Sequence, residues 1–225
     1  MKKLLVIAAV FACFSCADVD MAKKYPNMAA NLEPIPLGSI EASFDRMFSS
    51  KLKIYTINTA FHPRENAVVL EWGYELIKYR QFWDQNSRQA FIDALEKYNE
   101  DFNARNLVFK YSKSRAAYGK VKGRLEWENA KFTSTYKSSP VWELGYRFRN
   151  ENPFFTVMQR LAKDERKNTG DRIPIESSAF AMYFTKAQGD VLAQLFRQDF
   201  LMGLISANAK DEKAPVLNEP AGDYY

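Results

Sequence analysis

The chain has 225 residues, 47% of them hydrophobic and 15% aromatic, with seventeen Phe and twelve Tyr, which excludes a disordered polymer and suits one domain with a sizeable core. Two cysteines and one histidine exclude a disulfide scaffold and a multi-histidine metal site. The formal net charge of +5 is spread unevenly, and its distribution says more than its sum.

Residues 1–17 open with Lys2 and Lys3, continue through an apolar run of eleven residues (4–14), and end in the small residues Ser15-Cys16-Ala17. The run is short of the ~20 residues that a helix needs to cross hydrocarbon, so it reads as a signal peptide rather than a membrane anchor. Two fates follow from where it is cut. Cleavage after Ala17 would release a cysteine-free chain beginning at Asp18. Cleavage before a cysteine would make a lipoprotein, with Cys16 or Cys13 as the acylated first residue; Cys16 has a poor upstream match in Cys13, and Cys13 has the bulky Phe11 in front of it. Either way the folded body carries neither a thiol nucleophile nor a disulfide. Residues 18–37, polar and carrying Pro26, Pro34 and Pro36, read as a flexible tether. A single α+β domain is expected over 38–207, followed by a disordered tail over 208–225.

Within that domain, 51–60 (KLKIYTINTA) is rich in β-branched residues and leads into a turn at 61–66. Residues 67–76 then alternate, with Val68, Leu70, Trp72, Tyr74 and Leu76 on one face, so the two segments predict a hairpin. The period changes over 86–103, where Phe91, Leu95, Tyr98 and Phe102 recur at helical spacing and predict an amphipathic helix. Alternation returns over 120–128 and 141–149, with a weaker strand over 132–136, further strands over 154–161 and 177–184, and a charged loop over 162–171. Thr185-Lys186-Ala187-Gln188 has the spacing of a capping box, which starts a helix expected to run to about residue 206 and to be apolar nearly all round in its second half. The expected fold class is therefore α+β: an antiparallel β-sheet of about six to eight strands packed with two main helices, the C-terminal one largely buried.

No nucleotide-cradling, zincin or serine-hydrolase motif occurs in the chain. His62, in a His-Pro turn, reads as an exposed turn residue rather than a base. Glu126 and Glu128 share a strand face with Lys120, Lys122 and Arg124, which favours cross-strand ion pairs over a glycosidase pair, and Glu71 with Glu75 is read the same way. At least three of Trp72, Trp83, Trp127 and Trp142 fall on apolar strand faces, where core packing is expected rather than sugar stacking.

After removal of the leader the charge is +3, composed of −2 over 18–107, +8 over 108–175 and −3 over 176–225. A positive middle segment suits an anionic partner, with Lys120, Lys122, Arg124, Arg147 and Arg149 as the candidate contacts, although basic residues also serve simply to keep sheet faces soluble. Export argues against nucleic acid. A sheet curved around an apolar terminal helix suggests a cavity for a hydrophobic ligand lined by Leu192, Leu195, Met202 and Ile205. The chain thus reads as an exported, non-enzymatic protein, periplasmic or lipid-anchored in the cell envelope. It would bind a lipid or an anionic envelope polymer without cofactor or metal, and would touch the membrane only through an N-terminal lipid. The alternatives are an assembly module that binds another envelope protein and, with less support, a hydrolase of envelope polymer.

Overall fold

The computed structural model describes residues 33–45, 52–74, 76–109, 116–129, 134–166 and 175–208. Cys13, Cys16, the leader and the tail lie outside the described residues. Ten antiparallel strands form one sheet: β1 (Ile35–Asp45), β2 (Leu52–His62), β3 (Ala67–Tyr74), β4 (Ile77–Trp83), β5 (Gly119–Lys122), β6 (Arg124–Asn129), β7 (Thr135–Ser138), β8 (Val141–Arg149), β9 (Asn152–Gln159) and β10 (Phe180–Phe184). Three helices accompany them: α1 (Gln85–Asn103), α2 (Lys186–Phe196) and α3 (Gln198–Asn208). The order across the sheet is β5-β8-β9-β10-β1-β2-β3-β4-β6-β7.

The sheet curls into a half-barrel, and side chains report the curl directly. β4 and β9 stand five places apart in the order, yet Gln81 Nε2 donates to Gln159 Oε1 at 3.4 Å. Trp83 of β4 lies against Trp142 of β8, with ring centroids 4.2 Å apart. Each indole N–H needs an acceptor once buried, and these two glutamines supply them: Trp83 Nε1 to Gln81 Oε1 at 3.3 Å and Trp142 Nε1 to Gln159 Oε1 at 3.0 Å.

The two outermost strands are not independent ends. β5 runs into β6 through Gly123, and β7 runs into β8 through Ser139-Pro140, so β5–β6 and β7–β8 are two bent strands that face each other. The Gly123 N–H donates to the Pro140 carbonyl at 3.0 Å and carries the ladder through the bend. Glycine is required there by space: a Cβ would lie 2.2 Å from Trp142 Cη2.

Apolar alternation builds the concave face. Val68, Leu70, Trp72 and Tyr74 of β3 point inward, as do Leu125 and Trp127 of β6 and Trp142 and Leu144 of β8, and all four tryptophans are buried. Rings dominate this interior: Trp72 stacks on Tyr79 at 5.5 Å, and Phe91 of α1 meets Trp83, Phe155 and Phe196 at 5.1–5.7 Å. α1 starts at Asp84, whose carboxylate accepts from Ser87 N at 2.7 Å. The capping box at Thr185 and Gln188 is present and starts α2. Arg88, fully buried on α1, donates to the carbonyls of Asn66, Trp83 and Phe196 and to the side-chain oxygens of Asn66 and Gln198. It joins the β2–β3 turn to the junction of α2 and α3, and burial lowers its pKa to about 10.

This architecture corrects the expected α+β fold class. The sheet has ten strands rather than about six to eight, and three helices replace the two main ones. β1 begins at Ile35, inside the stretch expected to be a tether. Pro36 is tolerated because the register of β1 with β10 covers Ser43 and Phe44 at the other end of the strand, so the missing N–H breaks no ladder on that side. β4 was hidden by Gln81, a polar residue at an inward position. The expected long C-terminal helix breaks at Arg197, whose backbone is extended.

Candidate anion-binding site

Alternation along β8 places Arg147 and Arg149 on the same face, at the end of the strand that runs past β5. Both guanidinium groups converge on one carboxylate and one phenol. Arg147 Nη1 lies 3.3 Å from Asp45 Oδ2 and 3.1 Å from Tyr183 Oη; Arg149 Nη2 contacts Asp45 Oδ1 and lies 2.8 Å from Tyr183 Oη. The Tyr183 hydroxyl in turn donates to Asp45 Oδ2 at 2.6 Å. β8, β9, β10 and β1 are consecutive in the sheet, which is how residues more than a hundred positions apart meet.

The electrostatics leave a surplus. Burial raises the Tyr183 pKa, and the hydrogen bond to Asp45 raises it further against the opposing pull of Arg147, so the phenol stays neutral. Burial works against the Arg149 charge, but the bonds to Tyr183 and Asp45 outweigh it and raise its pKa. Two permanent cations therefore face one anion, a net charge of +1. Each guanidinium has five N–H donors, and the bonds above use one nitrogen of each. Arg149 Nε is buried without a hydrogen-bond partner among the described residues. Both side chains remain 28–29% exposed, so part of each guanidinium is open to solvent, whereas Arg149 Nε is not.

The other basic candidates are placed elsewhere. Lys120 and Lys122 lie on β5, in register with Glu143 and Val141, and Lys120 Nζ is 3.8 Å from Glu143 Oε1. Arg124 pairs with Glu65 and lies over the Phe82 ring, 3.6 Å from its centroid. The structure thus joins Arg147 with Arg149 and separates them from Lys120, Lys122 and Arg124, four or more residues back along β8, roughly 14 Å by strand rise. Asp45 and Tyr183 were not visible as site residues in the sequence.

Leu192, Leu195 and Ile205 are buried in the main core cluster, and Met202 packs against its edge. None of the four lines the groove along Ser39, Asn58, Glu71 and Arg80. Glu126 and Glu128 hold Arg80 between them, and Lys137 Nζ lies 3.1 Å from Glu126 Oε1, the expected ion-pair role. His62 ends β2 half-buried rather than exposed, edge-on to Phe82 at 6.0 Å. Among the described residues there is no cluster of His, Cys, Asp and Glu able to hold a metal, and no helix long and apolar enough to cross a membrane.

Residues 34–203 match the model of a family described as "Uncharacterised Treponema protein". The chain belongs to that family, whose match spans the whole curled sheet, α1, α2 and the first half of α3. It is also similar to an uncharacterised protein of Treponema pallidum (strain Nichols), 20% identical over 203 residues that cover 88% of this chain and 71% of the relative. No solved structure matches.

Proposed function

We propose that this is an exported, non-enzymatic protein of the cell envelope that binds an oxyanionic group, of the phosphate type, at Arg147 and Arg149. The single observation that carries this reading is two guanidinium groups sharing one carboxylate, each side chain partly open to solvent. Guanidinium forks match phosphate and carboxylate oxygens in pairs, and an incoming anion would neutralise the surplus charge. Tyr183 fixes the geometry by accepting from both arginines while donating to Asp45. The basic segment over 108–175 adds attraction at longer range, and the leader pattern supports an envelope address.

The test compares the full chain with an Arg147→Gln/Arg149→Gln double variant, using isothermal calorimetry with inorganic phosphate and glycerol phosphate, and flotation with phosphatidylglycerol or phosphatidylcholine vesicles. Hydrogen bonds to charged groups contribute ~1.5–3 kcal/mol each, so losing one fork should weaken binding at least about tenfold and losing both should abolish it. Binding of the small phosphates points to a soluble or polymer-borne ligand, and binding confined to phosphatidylglycerol vesicles points to a lipid headgroup. Equal binding by the folded double variant, or no binding to any of these probes, overturns the proposal.

A further inference from the structure

A different surface carries a second site. On the face of the sheet opposite the aromatic core, one residue from each of six successive strands falls in a single row: Ser39, Asn58, Glu71, Arg80, Glu126 and Lys137, paired in register from β1 through β2, β3, β4 and β6 to β7. Beside it runs a parallel apolar row, Ala60, Val69 and Phe82, also in register. The β1 end of these rows forms the floor and wall of a groove of about 580 Å³ that also takes in His62. A register shift between Pro36 and Gly38, with Gly38 at φ 100°, leaves this wall without a side chain at Gly38 and keeps the groove open.

The charges in the polar row alternate and cancel. Lys78 Nζ lies 2.9 Å from Glu71, Arg80 reaches both Glu126 and Glu128, and Lys137 closes on Glu126. A charged ligand would have to break these pairs, whereas a neutral polyol can add hydrogen bonds to lone pairs and N–H groups that the pairs leave over. Each hydroxyl both donates and accepts, which suits a row in which acceptors and donors alternate at the ~4.8 Å spacing of neighbouring strands. An extended peptide is a worse fit. β2, β3 and β4 are paired on both sides, so they offer no free backbone edge on which a peptide could ladder.

From this we infer that the groove along Ser39, Asn58, Glu71 and Arg80 binds a neutral, hydroxyl-rich oligosaccharide, lying across the strands with its apolar face on Ala60 and Val69. This site is separate from Arg147 and Arg149 and does not rest on their function. Its test is titration of the ¹⁵N-labelled protein with an N-acetylglucosamine tetramer, with Asn58→Ala and Ala60→Phe as variants that touch none of the ion pairs. Shift changes confined to β1–β4 and β6 are expected, with affinity indifferent to salt, about fivefold weaker in Asn58→Ala and lost in Ala60→Phe. The Arg147→Gln/Arg149→Gln variant should bind the tetramer as the parent does. No binding by the parent, binding unaffected by both groove variants, or preference for an uncharged extended peptide over the tetramer overturns the inference.

Discussion

Gly123→Ala tests whether the bend between β5 and β6 closes the sheet as described. A Cβ at this position would lie 2.2, 2.3 and 2.6 Å from three atoms of the Trp142 six-membered ring, where ordinary contact begins near ~3.5 Å. The ring would have to retreat by more than an ångström, and it has no room to do so. Trp142 is fully buried, Trp83 lies behind it at 4.2 Å, and its N–H is committed to Gln159. Overpacking of this kind costs ~1–3 kcal/mol, and losing the indole hydrogen bond adds ~1 kcal/mol, so the variant should lose roughly 2–4 kcal/mol. For a chain of this size each kcal/mol is worth about 2–4 °C in Tm, which puts the expected fall between about 5 and 15 °C. Gly73→Ala is the matched control, because a Cβ there meets nothing within 4 Å, and it should stay within ~0.5 kcal/mol of the parent. Thermal unfolding followed by circular dichroism reads both, with tryptophan emission as a second probe of the ring pair. If Gly123→Ala unfolds within about 1 °C of Gly73→Ala, the packing argument is wrong.

Two further outcomes follow from buried polar groups. Arg88→Lys should cost ~3–5 kcal/mol, because a single ammonium cannot serve the carbonyls of Asn66, Trp83 and Phe196 and the Gln198 side chain together; denaturant unfolding that shows less than ~1 kcal/mol would sink this. Burial, with Arg124 and Arg80 assisting against Glu65 and Glu126, holds the His62 pKa below 6.5, so the unfolded chain binds that proton more tightly than the folded one. The contribution to stability is nil above pH 6.5 and falls as pH drops from 6.5 through the folded-state value. His62→Gln should remove that part of the Tm–pH slope, and an unchanged slope would refute it.

Much of the fold was legible where local signals and tertiary demands agree. Period-two alternation located β3 and β8, helical spacing located α1, and the Thr185–Gln188 capping box located the start of α2. The misses share a cause: each needed a partner distant in sequence. Gln81 looks wrong for an inward strand position until Gln159 and Trp83 are beside it. Pro36 looks like part of a tether until the register of β1 with β2 and β10 shows which backbone groups are needed. Arg88 sits on the buried side of α1, and only the assembled turn and the α2–α3 junction supply its acceptors. The break at Arg197 carries no glycine or proline to announce it. At the anion site the residue types Arg147 and Arg149 could be read, but Asp45 lies 102 residues from Arg147 and Tyr183 lies 138 from Asp45, so their meeting is a property of sheet order alone.

The bent hairpin formed by β5–β6 and β7–β8 connects these observations. Its midpoint, Gly123 against Trp142, ties the two ends of the curled sheet. β6 continues from there to present Glu126 and Glu128 to Arg80 in the polar row, while β8 continues the other way to present Arg147 and Arg149 to Asp45. Alternation fixes which side chains face outward, and the closure fixes where along the surface they fall. The two surfaces also differ in the way that matters for selectivity. Alternating charges cancel in the groove row, so its attraction is short-ranged and carried by hydrogen bonds, whereas the two arginines outnumber their carboxylate and attract over a Debye length of ~8–10 Å. A ligand that carried both a neutral sugar chain and an anionic group would meet complementary chemistry on one sheet face, because β1 carries both Ser39 of the groove and Asp45 of the arginine site.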